Sequence, residues 1–200
     1  MQVAIAKRAL TCEVCCGDEC GCWQVDGRTI LCVVDGLGHG VLAEGAAEAA
    51  VDYVGRHLSQ SLPELFAGCD LALRSTRGAA MGIAVVNERE GTLTYAGIGN
   101  TRAAVFRASS AGCSAGTAAR LASDWGIVGG GYRSISPEVM ALAPGDLVVL
   151  CTDGIGGQFD VSGYDDDLRT DVRLLADRVL QDWGRRTDDA AVLAYISEGT

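Results

Sequence analysis

Two apolar segments of this chain each end in an Asp-Gly pair. Residues 30–36 read Ile-Leu-Cys-Val-Val-Asp-Gly, and residues 147–154 read Leu-Val-Val-Leu-Cys-Thr-Asp-Gly. β-Branched and aliphatic residues without an interrupting charge are typical of buried strands. Each segment therefore places a carboxylate, Asp35 or Asp153, at the point where a buried strand enters a loop. Two acidic strand ends suggest that the fold brings these carboxylates together.

Further acidic positions flank other apolar runs. Asp188 and Asp189 precede the terminal run 190–196, and Asp18 precedes the run that begins at Cys20. Clustered carboxylates without nearby Lys or Arg repel one another and resist desolvation, so a fold that gathers them normally binds a hard dication. The chemistry of these residues indicates Mg²⁺ or Mn²⁺.

Simpler interpretations compete with a metal site. Asp26-Gly27 lies between two short strand-like runs and is interpreted as a hairpin turn, not as a ligand. Asp35-Gly36 is followed by helical spacing, which leaves a structural role for Asp35 open. The segment Gly38-His-Gly-Val-Leu-Ala43 also fits a dinucleotide-binding fingerprint, but the acidic residue expected about 20 positions later is missing.

Composition limits the possible classes of protein. The 200 residues are 48% hydrophobic with a net charge of −10, and no Lys/Arg run could neutralise a nucleic acid backbone. We expect residues 1–200 to form a single domain that is monomeric and does not bind nucleic acid. No apolar run is long enough to span a bilayer, and the first eight residues do not resemble a signal peptide, so we expect a cytoplasmic protein away from membranes.

Five cysteines fall within eleven residues. A zinc or iron–sulfur site is one interpretation, in which Cys12 and Cys15 would supply one pair of ligands and Cys20 and Cys22 the other. The second pair is tightly spaced, however, and no histidine lies nearby. Reduced thiols that pack as small hydrophobic groups are the favoured interpretation. The cluster comprises Cys12, Cys15, Cys16, Cys20 and Cys22.

The periodicity of apolar residues predicts an α+β fold in which helices cover antiparallel sheets. Predicted strands lie near 2–10, 20–26, 29–34, 79–87, 92–98, 101–107, 118–122, 137–142, 147–152 and 190–196. Predicted helices lie near 41–59, 63–75 and 168–183, the last preceded by an acidic cap at 165–167. Residues 109–117 are predicted to form a surface hairpin connection, and residues 123–134 a glycine-rich loop.

Five motifs occur in an order that resembles the metal-dependent protein phosphatases, the PPM or protein phosphatase 2C family. They are Gly17-Asp18, Val34-Asp-Gly-Leu-Gly-His-Gly40, Gly97-Ile-Gly-Asn100, Cys151-Thr-Asp-Gly154 and Thr187-Asp-Asp189. The short length and the spelling of Asp35-Gly-Leu-Gly resemble the RsbX branch, the stressosome feedback phosphatases related to SpoIIE and RsbU. The resemblance implies a four-layer αββα sandwich of two antiparallel sheets flanked by helices.

The resemblance also implies roles for individual residues. Asp35 corresponds to a carboxylate that bridges two Mn²⁺ or Mg²⁺ ions, with the Gly36 carbonyl as a further ligand. Asp18, Asp153 and Asp188 correspond to the remaining metal ligands, and Asp189 would orient them. A water that bridges the two ions would attack phosphorus directly, without a phosphoenzyme.

Two positions depart from the family pattern. Leu37 replaces a histidine that is a proposed general acid, so His39 or a water is the candidate proton donor. Asn100 replaces an aspartate associated with a third metal ion, which leaves a third ion in doubt. The implied substrates are phosphoserine or phosphothreonine on STAS-domain stressosome proteins, whose dephosphorylation resets stress signalling. The alternatives are an anti-anti-sigma factor as substrate, or a non-catalytic binding domain with the same fold.

Overall fold

The computed structural model describes residues 2–108 and 118–199, so the predicted connection 109–117 lies outside the described residues. The elements are β1 (Val3–Arg8), β2 (Asp18–Val25), β3 (Arg28–Gly36), α1 (Val41–Arg56), α2 (Leu62–Ala72), β4 (Ala79–Asn87), β5 (Thr92–Ile98), β6 (Arg102–Phe106), β7 (Ala119–Leu121), β8 (Gly126–Ile127), β9 (Gly131–Tyr132), β10 (Glu138–Ala141), β11 (Leu147–Cys151), α3 (Asp166–Thr170), α4 (Val172–Trp183) and β12 (Ala190–Ile196).

The strands form two antiparallel five-stranded sheets. The first sheet has the order β10-β5-β4-β3-β2, and the second has the order β1-β12-β11-β6-β7. The helices α1 and α2 cover the outer face of the first sheet, and α4 packs on the outer face of the second. This confirms the predicted α+β class and the αββα sandwich of two sheets flanked by helices.

The uncharged strands are explained by burial on both faces. In β3, Leu31 and Val33 point into the core between the two sheets, whereas Ile30, Cys32 and Val34 point towards α1 and α2. Side chains alternate between the two faces of a strand, so a strand covered on both faces needs an apolar residue at every position. β3 therefore stays apolar up to Asp35 at its end.

The predicted helix 168–183 is wrong as one element, because the chain breaks at Asp171. Asp171 has an extended backbone (φ −100°, ψ 98°), and its side chain accepts hydrogen bonds from the backbone N–H groups of Arg173 and Leu174. It therefore caps α4, while Asp165 at the start of α3 makes no side-chain capping bond. The predicted cap lies one helix too early.

The pair Asp26-Gly27 was predicted as a turn, and residues 123–134 were predicted as a glycine-rich loop. Asp26 and Gly27 have φ values of 50° and 72° and join β2 to β3, which confirms the hairpin turn. The predicted loop 123–134 contains a small hairpin, β8–β9. Val128, inside it, exchanges two backbone hydrogen bonds of 2.9 Å with Ala79 at the start of β4. The segment is thereby held against the first sheet.

Candidate metal centre

The acidic strand ends of both sheets meet at one end of the sandwich. Asp18 begins β2 and lies directly opposite Asp35 in the β2–β3 register. Asp153 follows β11, and Asp188 precedes β12, which is the neighbour of β11 in the second sheet. Residues that are up to 170 positions apart in the sequence are therefore brought to the same edge.

Glycines permit the close approach of these strand ends. A Cβ atom on Gly36 would collide with the backbone carbonyl of Ala43 in α1, and one on Gly154 would collide with the backbone carbonyl of Asp189. A Cβ on Gly17 would lie 2.8 Å from Oδ2 of Asp189. The glycine in each Asp-Gly pair thus lets the carboxylate-bearing loop pack directly against another backbone segment.

Three of the predicted ligands line one open cavity of about 260 Å³. Asp35 comes from the first sheet, whereas Asp153 and Asp188 come from the second. His39 and Asn100 lie in the same wall. We name this cavity the acidic pocket.

Asp18 lies beside the acidic pocket but not in its wall. Its side chain is only 2% exposed, and Oδ2 accepts a 2.6 Å hydrogen bond from the Thr152 hydroxyl. The same hydroxyl accepts a 2.9 Å hydrogen bond from the backbone N–H of Ala191 in β12. Asp18 is therefore held by the second sheet while it pairs with Asp35 in the first.

Burial and mutual repulsion disfavour the ionised carboxylates. Burial and the nearby Asp35 raise the pKa of Asp18 to about 8. Burial, Asp153 and Asp188 raise the pKa of Asp35 to about 7, and burial and Asp153 raise the pKa of Asp188. Such crowding favours either a proton or a cation at the site.

Among the described residues, no Lys or Arg lines the acidic pocket. Arg77 approaches its rim, where a Cβ on Gly38 would lie 2.7 Å from the guanidinium Nη1. The carboxylates are therefore not neutralised by an ion pair within the pocket.

The donor set fits a hydrated hard dication. Within residues 2–108 and 118–199, no three His, Cys, Asp or Glu side chains lie close enough to enclose one ion by themselves. Mg²⁺ commonly retains several waters and is held by one or two carboxylates, which does not require such an enclosure. One oxygen of the buried Asp189, Oδ2, has no hydrogen-bond partner, which leaves an acceptor beside Gly17. The acidic pocket with its oxygen ligands thus suits Mg²⁺ or Mn²⁺.

A comparison with protein families agrees with this arrangement. A family model for stage II sporulation protein E (SpoIIE) matches residues 25–195, which is most of the chain. The chain belongs to the SpoIIE family. Structures of PP2C-type phosphatases share its fold, as the motif order predicts.

Individual proteins resemble this SpoIIE-family chain to different extents. Phosphoserine phosphatase RsbX from Bacillus subtilis (strain 168) is 33% identical over 87 residues, which span 44% of this chain and 44% of that relative. A chain from a structure of the bacterial stressosome is 31% identical with a TM-score of 0.85, covering 96% of this chain and 97% of that one. RsbX in complex with magnesium shares the fold at 23% identity, with a TM-score of 0.80 and coverage of 98% and 94%.

Three polar residues of this SpoIIE-family site were not predicted to support it. Glu13 Oε1 lies 2.8 Å from Nδ1 of His39, and Asn100 donates a 2.8 Å hydrogen bond to Oδ2 of Asp153. Thr152 holds Asp18, as described above. The motif Thr-Asp-Gly could have indicated a role for Thr152, since this residue directly precedes a predicted ligand. Nothing in the sequence relates Glu13 to His39.

The cysteine cluster does not share one environment. Cys12 is exposed, Cys20 is buried between the sheets, and the other three are partly exposed. Burial raises the pKa of Cys16 to about 11, and burial also raises the pKa of Cys20, with a smaller contribution from the charge of Asp18 at both thiols. Separately, no helix among the described residues combines the length and hydrophobicity needed to cross a membrane.

Proposed function

We propose that this chain is a metal-dependent phosphatase that hydrolyses phosphoserine or phosphothreonine on proteins. The observation that carries the proposal is the acidic pocket, where Asp35 from one sheet meets Asp153 and Asp188 from the other in a SpoIIE-family fold. Asp18, Asp35, Asp153, Asp188 and the Gly36 carbonyl are the proposed ligands of two Mn²⁺ or Mg²⁺ ions. When bound, such ions stabilise charge on phosphoryl oxygens and make water nucleophilic near neutral pH.

The protein's own groups have distinct roles in this proposal. The carboxylates hold the cations in the acidic pocket. Asn100 fixes Asp153 through its amide, in place of the carboxylate that a third ion would need. Because Nδ1 of His39 is engaged with Glu13, Nε2 is the ring nitrogen that can transfer a proton to the leaving serine oxygen.

The proposed substrates are phosphorylated STAS-domain proteins of a stressosome, and dephosphorylation would reset stress signalling in the cytoplasm. The similarity to phosphoserine phosphatase RsbX and to a stressosome chain supports this choice. The match to SpoIIE favours a second candidate, a phosphorylated anti-anti-sigma factor. A non-catalytic binding domain is disfavoured because it would have no need for the complete set of carboxylates.

The test uses p-nitrophenyl phosphate with Mn²⁺, and we expect hydrolysis that a chelator abolishes. Asp35→Asn should lower the rate roughly 100-fold or more, because it removes a central charge while it keeps the side-chain shape. Asp26→Asn is the matched control, since it changes the Asp-Gly pair in a distant hairpin turn and should leave the rate unchanged. Equal rates for Asp35→Asn and the parent protein, or full activity without metal, would overturn the proposed function.

A further inference from the structure

A second, larger cavity opens beside the acidic pocket. Its volume is about 460 Å³, and it shares Leu37, Ala80 and Asn100 with the acidic pocket. Trp125 and Ile127 belong to its remaining wall. We name this cavity the apolar pocket. A protein segment that places its phosphoryl group in the acidic pocket can therefore place a neighbouring side chain in the apolar pocket.

The wall of the apolar pocket is held in place by the backbone. Asp124 accepts a 2.9 Å hydrogen bond from the N–H of Gly99 and donates a 2.8 Å bond to the carbonyl of Gly97. Three residues beyond Trp125, the buried Val128 is paired with Ala79. Both ends of the segment 124–128 are thus tied to the first sheet. The pocket is formed before any ligand arrives, which lowers the ordering cost of binding.

The chemistry of the wall selects an apolar occupant. No charged side chain lines the apolar pocket among the described residues, and its polar side chains are Asn100 and Ser123. Trp125 is 95% exposed, an unusual state for a tryptophan unless another molecule covers it. His39 lies in the wall of the acidic pocket. Val41 and Leu42, which follow it closely in the sequence, are also exposed.

We propose that the apolar pocket binds a large aliphatic or aromatic side chain that lies close to the phosphorylated residue of the protein substrate. Trp125 would cover that side chain and so determine which phosphosites are hydrolysed. This inference rests on the proposed phosphatase function. It adds a requirement on the substrate sequence that the acidic pocket alone cannot impose, because that pocket would contact only the phosphoryl group.

The experiment uses synthetic phosphoserine peptides on a Ser/Gly background, with one leucine placed at position −2, −1, +1 or +2. Phosphate release with Mn²⁺ gives kcat/KM for each peptide. Even one methylene group in an apolar pocket is worth roughly 10- to 200-fold in kcat/KM. We expect the parent protein to prefer at least one leucine position about tenfold over the leucine-free peptide, and Trp125→Ala to lose most of that preference.

A matched control is Leu174→Ala, which truncates another exposed apolar side chain, 58% exposed, on the helix that covers the opposite sheet. It should keep the leucine preference. If the parent protein cleaves p-nitrophenyl phosphate but shows no leucine preference at any position, or cleaves no peptide, the apolar pocket has no such role. An unchanged preference in Trp125→Ala also overturns the inference. A failure to cleave p-nitrophenyl phosphate would instead overturn the proposed function itself.

Discussion

At the scale of single residues, the Thr152 hydroxyl connects the two sheets at the acidic end. It donates to the buried Asp18 of the first sheet and accepts from the backbone N–H of Ala191 in the second. A buried polar group that loses its partner pays its full desolvation cost, so hydroxyls in such positions contribute more than an average hydrogen bond.

Thr152→Val should therefore destabilise the protein although it preserves the shape of the side chain. Because Asp18 Oδ2 and the Ala191 N–H both lose a partner, we expect the free energy of unfolding to fall by about 1–3 kcal/mol. Urea unfolding monitored by circular dichroism measures the change. Thr152→Ser, which retains the hydroxyl, should lose less; if it loses as much as Thr152→Val, the methyl group and not the hydrogen bonds is responsible.

The sequence predicted the positions of the acidic residues better than their surroundings. Asp35 and Asp153 were identified because an uncharged strand that ends in Asp-Gly leaves a local pattern. The contact between Glu13 and His39 joins two loops without regular periodicity, so no sequence spacing could predict it. Asp18 was identified from its position before an apolar run and from the resemblance, yet its near-complete burial depends on packing of the second sheet, which is not encoded locally.

At the scale of elements, strands were predicted more accurately than helix ends. The predicted strands 79–87 and 92–98 coincide with β4 and β5, because turn residues bound both strands. The continuous apolar face of 168–183 concealed the break at Asp171, since residues of α3 and α4 pack against the same core. Hydrophobic periodicity reports which face is buried, but it does not show whether the backbone continues through each residue.

The pair Asp171 and Asp165 provides a direct test of which aspartate caps a helix. Asp171→Ala removes a side chain that accepts from two backbone N–H groups of α4 and should lower the free energy of unfolding by about 1 kcal/mol. Asp165→Ala, at an end without such a bond, should change it by less than half as much. Thermal or urea denaturation of both variants measures the difference, and equal losses would contradict the assignment of the cap.

At the scale of the whole molecule, the acidic end should make stability depend on pH and metal together. The folded pKa values of Asp18 and Asp35, about 8 and about 7, lie above the ordinary value of 3.8. Folded protein therefore binds more protons than unfolded protein between about pH 4 and pH 8. Stability must fall as pH rises through that window.

We expect the melting temperature of the chelated protein to fall between pH 5.5 and pH 8, and Mn²⁺ to reduce that fall because it binds the ionised carboxylates. Differential scanning calorimetry with chelator and with Mn²⁺ measures both effects. The variant with Asp18→Asn and Asp35→Asn is the control and should show a weaker dependence on pH. A dependence equal to that of the parent protein would assign the effect to the overall charge of −10 instead.

The pairing of β1 with β12 also sets the order in which the two sheets can be completed during synthesis. Val3 lies opposite Tyr195, so the first strand can join its sheet only after residue 195 has left the ribosome. Contacts between residues so distant in sequence form slowly, because a long loop must close first. Asp188 emerges just before β12, and a nascent chain therefore carries Asp18 and Asp35 long before their partners exist. The proposed metal site can therefore be complete only after residue 188 has been synthesised.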